Sequence, residues 1–181
     1  AYYVASRPLL RGHDRPWLAE WRQRLDDIRI RGLECFAAAS LGLGGPTLPR
    51  AEECGRRLIA LAPYHETGYR ILMEALERRS NHAEALLVYD RLRVLLRDQL
   101  GTAPSPAVQG VYRRLQQAEA VAALADELDG STDLIVAADV LPYLGDLAPL
   151  LAEAARVLSP GGLMAASLQT GSDGDFALGA D

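Results

Sequence analysis

The stretch from Pro63 to Gly101 reads PYHETGYRILMEALERRSNHAEALLVYDRLRVLLRDQLG. Two helical patterns meet in it at a short polar turn. In the first, Tyr69, Leu72, Met73 and Leu76 recur at steps of three and four and so share one helix face. In the second, Ala85, Tyr89, Leu92, Leu96 and Leu100 do the same. Ser80 and Asn81 interrupt the apolar pattern between them, and Asn81 is a favourable N-cap for the second helix. A turn this short makes the two helices antiparallel neighbours with their apolar faces together.

One helical pair cannot bury both of its faces, which directs the search to a neighbouring copy. Tetratricopeptide-like repeats have a period of about 34 residues. A step back by that interval places Ala85 on Ala51 and Leu92 on Leu58. It places Tyr69, Leu72 and Met73 on Cys35, Ala38 and Ala39, and it places Tyr89 on Gly55. The expected architecture is one well-formed helical repeat preceded by a degenerate one, with small residues allowing close helix approach. Tyr69, Leu72, Ala85, Tyr89 and Leu92 are the expected helical core.

Charge divides the chain. Residues 1–118 hold 18 arginines and 13 acidic residues, whereas residues 119–181 hold one arginine, Arg156, and 11 acidic residues. The first part is therefore net positive and the second strongly negative, which predicts two units of different origin. Lysine is absent, a pattern expected from a GC-rich genome. Hydrophobic residues make up 49% of the chain, enough for a sizeable core. No apolar run reaches the roughly 20 residues that span a bilayer, and no charged-then-apolar leader is seen, so a cytoplasmic setting is expected. Cys35 and Cys54 lie in helical patterns without metal-ligand spacing and are expected to be buried, small and apolar.

Taken in order, Asp14 and Pro16 predict the start of a long helix reaching about Ser40. Its inward face is expected to be Trp17, Trp21, Leu25, Ile28, Gly32, Cys35 and Ala39, with the tryptophans as core or interface anchors. Gly42 to Pro46 follows a helix rather than a strand, so it reads as a helix stop and not as a phosphate-binding loop. A helix from about Pro49 to Leu61 precedes the central pair. After Gly101, Ser105 is expected to cap a helix with Val108, Val111, Tyr112 and Leu115 inward. His13, His65 and His82 lack metal-ligand companions. Asp26–Asp27 and Glu52–Glu53 are adjacent residues that point in different directions on a helix, so they form no local catalytic pair.

Three segments, PLLRGHDRPWLAEWRQRL, LIALAPYHETGYRILMEAL and AEALLVYDRLRVLLRDQLGTAPSPAVQGVYRRL, resemble the bacterial transcriptional activator domain of the antibiotic regulatory protein (SARP) family. The most specific part runs from Ala83 to Pro106. The resemblance implies a tetratricopeptide-like array that follows a winged-helix DNA-binding domain and is linked to dimerisation and activation. Residues 1–13 resemble the point just beyond that DNA-binding domain. The arginines are interspersed with carboxylates, as in Arg22, Arg24, Asp26, Asp27 and Arg29, which predicts a solvated helix face rather than a phosphate-binding stripe.

A second pattern follows. Residues 133–138, DLIVAA, read as a buried strand. A helix from about Leu147 to Leu158, a turn at Ser159 to Gly162 and a strand from Leu163 to Leu168 complete a βαβ unit. The words DLIVAADVLPYLGDLAPLLAEAARVLSPGGLMAAS resemble the middle of a class I S-adenosylmethionine-dependent methyltransferase. By that resemblance Asp139, Val140, Leu141 and Tyr143 would line a cofactor cleft. The glycine-rich first motif and the carboxylate that would hold the ribose are missing.

The expected fold is thus mainly α. A tetratricopeptide-like antiparallel helical array spans residues 1–118, and a small Rossmann-like methyltransferase fragment spans residues 119–181. The expected function is a protein-interaction and dimerisation module of a transcriptional regulator. No cofactor or metal is expected, and no direct nucleic-acid or membrane contact. Partners are other proteins or a second copy, met through the helical array and the stripe at Trp17, Trp21 and Leu25. The alternative is part of a methyltransferase with a helical recruiting domain, in which S-adenosylmethionine would be bound.

Overall fold

Pro16 opens the first helix in the computed structural model, which describes residues 9–167 apart from residues 11, 14, 139, 140, 142, 143 and 145. A proline at this position loses nothing, because the first N–H groups of a helix have no intrahelical partner. Asp14, the expected cap, lies outside the described residues; Arg15 occupies the N-cap in extended conformation without a side-chain cap. The chain divides into two units, residues 1–112 and residues 113–181.

The first unit is helical. Helix α1 (Pro16–Leu43) runs three residues beyond the expected end at Ser40. A short 3-10 turn (Gly45–Thr47) leads into α2 (Leu48–Leu61), then α3 (Glu66–Arg78) and α4 (His82–Leu100). The Thr47 hydroxyl donates to the carbonyl of Ser40 at 2.7 Å and closes the end of α1. The glycine-rich stretch is therefore a helix stop. The turn between α3 and α4 has Ser80 in left-handed conformation, and the Asn81 side chain accepts from the Glu84 N–H at 3.4 Å. Helix α4 ends on Gly101, also left-handed, whose N–H returns to Arg97 while Thr102 N–H reaches Leu96. This pairing satisfies carbonyls that the helix end would otherwise orphan.

Helix α3 is buried on two sides. Ile71 and Ala75 join Leu33, Ala37 and Leu41 of α1 and Ala51, Cys54 and Leu58 of α2 in one core cluster. Tyr69, Leu72, Met73 and Leu76 of α3 are also buried, as are Ala85, Val88, Tyr89, Leu92 and Leu96 of α4. Leu100, expected on the same face, is exposed in the last turn. Helix α5 (Pro106–Ala125) contributes buried Val108 and Val111 to the first unit. It also brings Tyr112 to stack on Tyr89, with ring centroids 3.8 Å apart and planes within 9°.

The contact between α2 and α3 is unusually close because Gly55 and Gly68 face each other's helices. A Cβ built on Gly55 would lie 2.9 Å from both Cβ and backbone N of Leu72, and one on Gly68 would lie 2.9 Å from Leu58 Cβ. The repeat alignment that sets Gly55 against Tyr89 thus has a physical reason. The earlier helix pair needs empty space where the later one stacks a ring.

The second unit pairs β1 (Thr132–Ala137) with β2 (Leu158–Ala166) in parallel, separated by α6 (Ala148–Val157). The expected turn at Ser159 to Gly162 is instead an irregularity inside β2. Thr132 pairs with Leu158, and the next pairs are Leu134 with Leu163 and onward to Ala137 with Ala166. The Ser159 hydroxyl donates to Asp133 at 2.6 Å and holds the extra residues against β1. The strand therefore begins where α6 ends; its expected end at Leu168 lies outside the described residues. Ala137, Leu141, Leu144 and Leu150 form the core of this unit, with Ala120, Val121, Leu124, Leu147 and Met164 packed around it. The opposite face of the sheet exposes Leu134, Val136 and Leu163.

Candidate interaction surface

Helix α1 has two apolar faces. The inward one is Leu33, Ala37, Ser40 and Leu41, all buried; Leu18, near the start of the helix, is buried as well. The outward one carries Trp17, 57% exposed, and Trp21, 51% exposed, followed by Ile28, Phe36 and Leu43. The expected core face of this helix is therefore its outer face. Trp17, Trp21 and Ile28 are exposed, Leu25 is half-buried, and Gly32, Cys35 and Ala39 are exposed. The reason is packing. Ala37 and Ser40 are small enough for α1 to settle against Ala51, Leu58, Ile71 and Ala75, which tryptophan side chains would hold apart. Gly32 does not serve a close contact within the chain, since a Cβ there would meet nothing within 4 Å. The same shift of phase leaves Cys35, Ala38 and Ala39 exposed where their repeat partners Tyr69, Leu72 and Met73 are buried.

The outer face is held in place from both ends. At its start, Arg22 donates to the carbonyls of Leu9, Leu10 and His13, the last at 2.8 Å. Arg24 lies over the Trp21 ring, 5.1 Å from its centroid, a cation–π contact that fixes the indole on the surface. Toward its end, Glu34 meets His65 at 2.7 Å, and Arg78 donates to the Leu41 carbonyl at 2.5 Å.

Behind α1, buried Glu52 of α2 accepts from Arg56 and from Arg79; Arg56 also reaches Glu84 at 2.7 Å. Burial works to raise the Glu52 carboxyl pKa, but hydrogen bonds and charge from Arg56 and Arg79 outweigh it and hold it below the ordinary range. The network joins α2 to the α3–α4 turn and to the first turn of α4. Burial pushes the Cys54 thiol up, which keeps it protonated and unreactive. Burial likewise raises the phenols of Tyr69 and Tyr89. Among the described residues no group of histidine, cysteine, aspartate or glutamate could hold a metal ion.

Of the expected cofactor-lining residues, Asp139, Val140 and Tyr143 lie outside the described residues. Leu141 is 8% exposed and belongs to the core of the second unit. The segment that precedes β1 is helix α5, where a glycine-rich turn after a strand would be needed to cradle a nucleotide.

Sequence reasoning missed Phe36 and Leu43. Each lies seven or eight residues beyond an exposed apolar residue, Ile28 and Phe36 in turn, and that spacing was the available signal.

Residues 6–116 match the bacterial transcriptional activator domain. The chain belongs to that family. Residues 74–166 also match the methyltransferase domain family, overlapping the first match across α4 and much of α5. Regulatory protein AfsR of Streptomyces coelicolor is 30% identical over 181 aligned residues, which cover 92% of this chain and 18% of AfsR. Transcriptional regulatory protein MoaR1 of Mycobacterium tuberculosis is 27% identical over 90 residues, 50% of this chain and 28% of MoaR1. MoaR1 of Mycobacterium bovis gives the same figures. The chain therefore spans about a fifth to a quarter of these curated relatives. No solved structure matches it. It is a transcription-regulator segment, mainly helical, with a methyltransferase-like portion toward its C-terminal side. Among the described residues, no helix is long and apolar enough to cross a membrane.

Proposed function

We propose that the chain is a protein-interaction and dimerisation module of a bacterial transcriptional regulator acting in the cytoplasm, and that the outer face of α1 is its docking surface. The observation that carries this reading is the row Trp17, Trp21, Ile28, Phe36 and Leu43, exposed on a helix whose other face is already packed. A helix apolar on both faces has a second partner to satisfy, and aromatic anchors are the residues on which protein interfaces concentrate their energy. The relatives that align with the chain are named as regulators, which supports the same reading. The proposal includes no cofactor and no catalysis. The methyltransferase-like portion is a structural appendage whose core, including Leu141, is filled by leucines and alanines.

A reporter assay tests the reading. The whole chain is fused to a heterologous DNA-binding domain in a bacterial host, and transcription from the cognate promoter is measured. The fusion should alter reporter output, and Trp17→Glu with Trp21→Glu should abolish the effect with the helical circular dichroism unchanged. Output that is indifferent to both substitutions would refute the assignment of the surface.

A further inference from the structure

We infer that the segment entering α1 is a strap, latched by Arg22, that covers the docking row at Leu25, and that a partner binds there by displacing it. This rests on the reading of the α1 face as a docking surface and adds to it a device that closes and opens that surface.

The first half of the outer face is a row at steps of three and four: Trp17, Trp21, Leu25 and Ile28. Trp17, Trp21 and Ile28 are exposed, whereas Leu25 is half-buried and interrupts the row. Leu9 lines a cavity of about 140 Å³ together with Leu25, Arg22, Asp26 and Arg29. The segment that leads into the helix therefore lies back along it, beside the row at Leu25. Its contact there is loose. An unfilled cavity leaves the leucine atoms that face it without dispersion partners, so packing does little to hold the segment down.

The latch is polar instead. Arg22 donates to the Leu9 and Leu10 carbonyls at 3.4 Å each and to the His13 carbonyl at 2.8 Å. The fixed fork of a guanidinium suits several carbonyls of one turn at once. The turn is closed by the His13 N–H, which donates to the Leu10 carbonyl at 3.2 Å. Its backbone works against closure. Gly12 takes a φ of 86° without a steric cost, but Leu10 is held at 47°, a left-handed conformation unfavourable for a residue with a Cβ. The Leu10 side chain is exposed, so its burial does not offset that strain. A strained turn, two long hydrogen bonds and an unfilled cavity place the open state within easy reach. Opening completes the row. With Leu9 withdrawn, Leu25 joins the tryptophans and Ile28 in one apolar stripe, and an apolar side chain of a protein partner takes the place of Leu9. A partner that binds the open form better shifts the population toward it.

Amide hydrogen exchange of the whole chain reads the latch. The reporter assay reads its consequence, with the DNA-binding domain fused after Asp181 so that the strap is unaltered. Arg22→Gln should speed exchange of the His13 amide about tenfold and raise reporter output, with the helical circular dichroism unchanged. Leu10→Asn should slow that exchange and lower output, because asparagine tolerates the left-handed conformation and the side chain it replaces is exposed. The two variants thus move both readouts in opposite directions, which a general loss of folding would not do. If the His13 amide is as protected in Arg22→Gln as in the parent, there is no latch and the inference falls. If Arg22→Gln frees the amide without changing output, while Trp17→Glu with Trp21→Glu still abolishes it, the docking surface stands and the strap does not cover it. Output indifferent to the tryptophan pair removes the docking surface, and the role of the strap with it.

Discussion

Two substitutions of the same kind should move stability in opposite directions. Gly55→Ala places a methyl group 2.9 Å from the Cβ and the backbone N of Leu72. Carbon atoms rest at about 3.5–4.0 Å, so α2 and α3 would have to part by roughly 0.6 Å or more. A backbone atom cannot swing aside as a side-chain end can. The separation would be transmitted to Ala51, Leu58, Ile71 and Ala75 in the shared core cluster. Overpacking of this kind costs about 1–3 kcal/mol. Replacing a mid-helix glycine by alanine returns about 1 kcal/mol. The net expectation for Gly55→Ala is a loss of up to about 2 kcal/mol. Gly32→Ala makes the same propensity gain with no neighbour within 4 Å, so it should stabilise the monomer by up to about 1 kcal/mol. Urea denaturation followed by far-ultraviolet circular dichroism at low protein concentration measures both, provided the slopes agree. If Gly55→Ala gains as much stability as Gly32→Ala, the helices are not packed as closely as this structure shows.

Tyr89→Ala should cost about 3–5 kcal/mol in the same assay, because it removes a buried ring stacked on Tyr112; a cost near zero would mean that α4 is turned away from the core. Asn81→Ala should cost about 1 kcal/mol through loss of the cap on α4. The depressed Glu52 carboxyl stabilises the fold above the ordinary glutamate pKa of about 4.3, and its contribution fades as pH falls through the lower folded-state value. Glu52→Gln should therefore lower stability at neutral pH and flatten its decline on acidification, and an unchanged acid limb in a pH series of denaturation midpoints would contradict the network. Calorimetric titration with S-adenosylmethionine should give no binding heat in the micromolar range.

The central pair of helices was legible because each signal in it points the same way. Asn81 caps, Ser80 and Asn81 break the period, and Ala85, Tyr89 and Leu92 recur on one face; all of these hold in the structure. Helix α1 was legible as a helix and not in orientation. Its periodicity at Trp17, Trp21, Ile28 and Cys35 is genuine, but periodicity reports that a face is apolar and not what covers it. The competing face, Leu33, Ala37, Ser40 and Leu41, wins the core because small residues permit the shorter interhelical distance that α2 and α3 impose. Gly55 read as a defect in the repeat because its role depends on Leu72, a residue that local patterning does not connect to it. The strand–helix–strand order of the second unit was visible, whereas the register was not. Ser159 to Gly162 carries the composition of a turn, and only pairing of Thr132 with Leu158 pulls the segment into the sheet.

In a doubly wound sheet both faces of the parallel strands are covered, and ligands sit beyond the carboxyl ends of the strands. Here one face is covered, by Ala120, Val121 and Leu124 of α5 and by Leu150 of α6, while the other shows Leu134, Val136 and Leu163 to solvent. Among the described residues β1 has a single strand neighbour, β2. Leu141, which the resemblance sets beside a cofactor, is packed on the covered face. Leu141 and Leu144 thus belong to the core on that face. The stability of the unit depends on that core, so polar substitution of Leu141 should cost it packing.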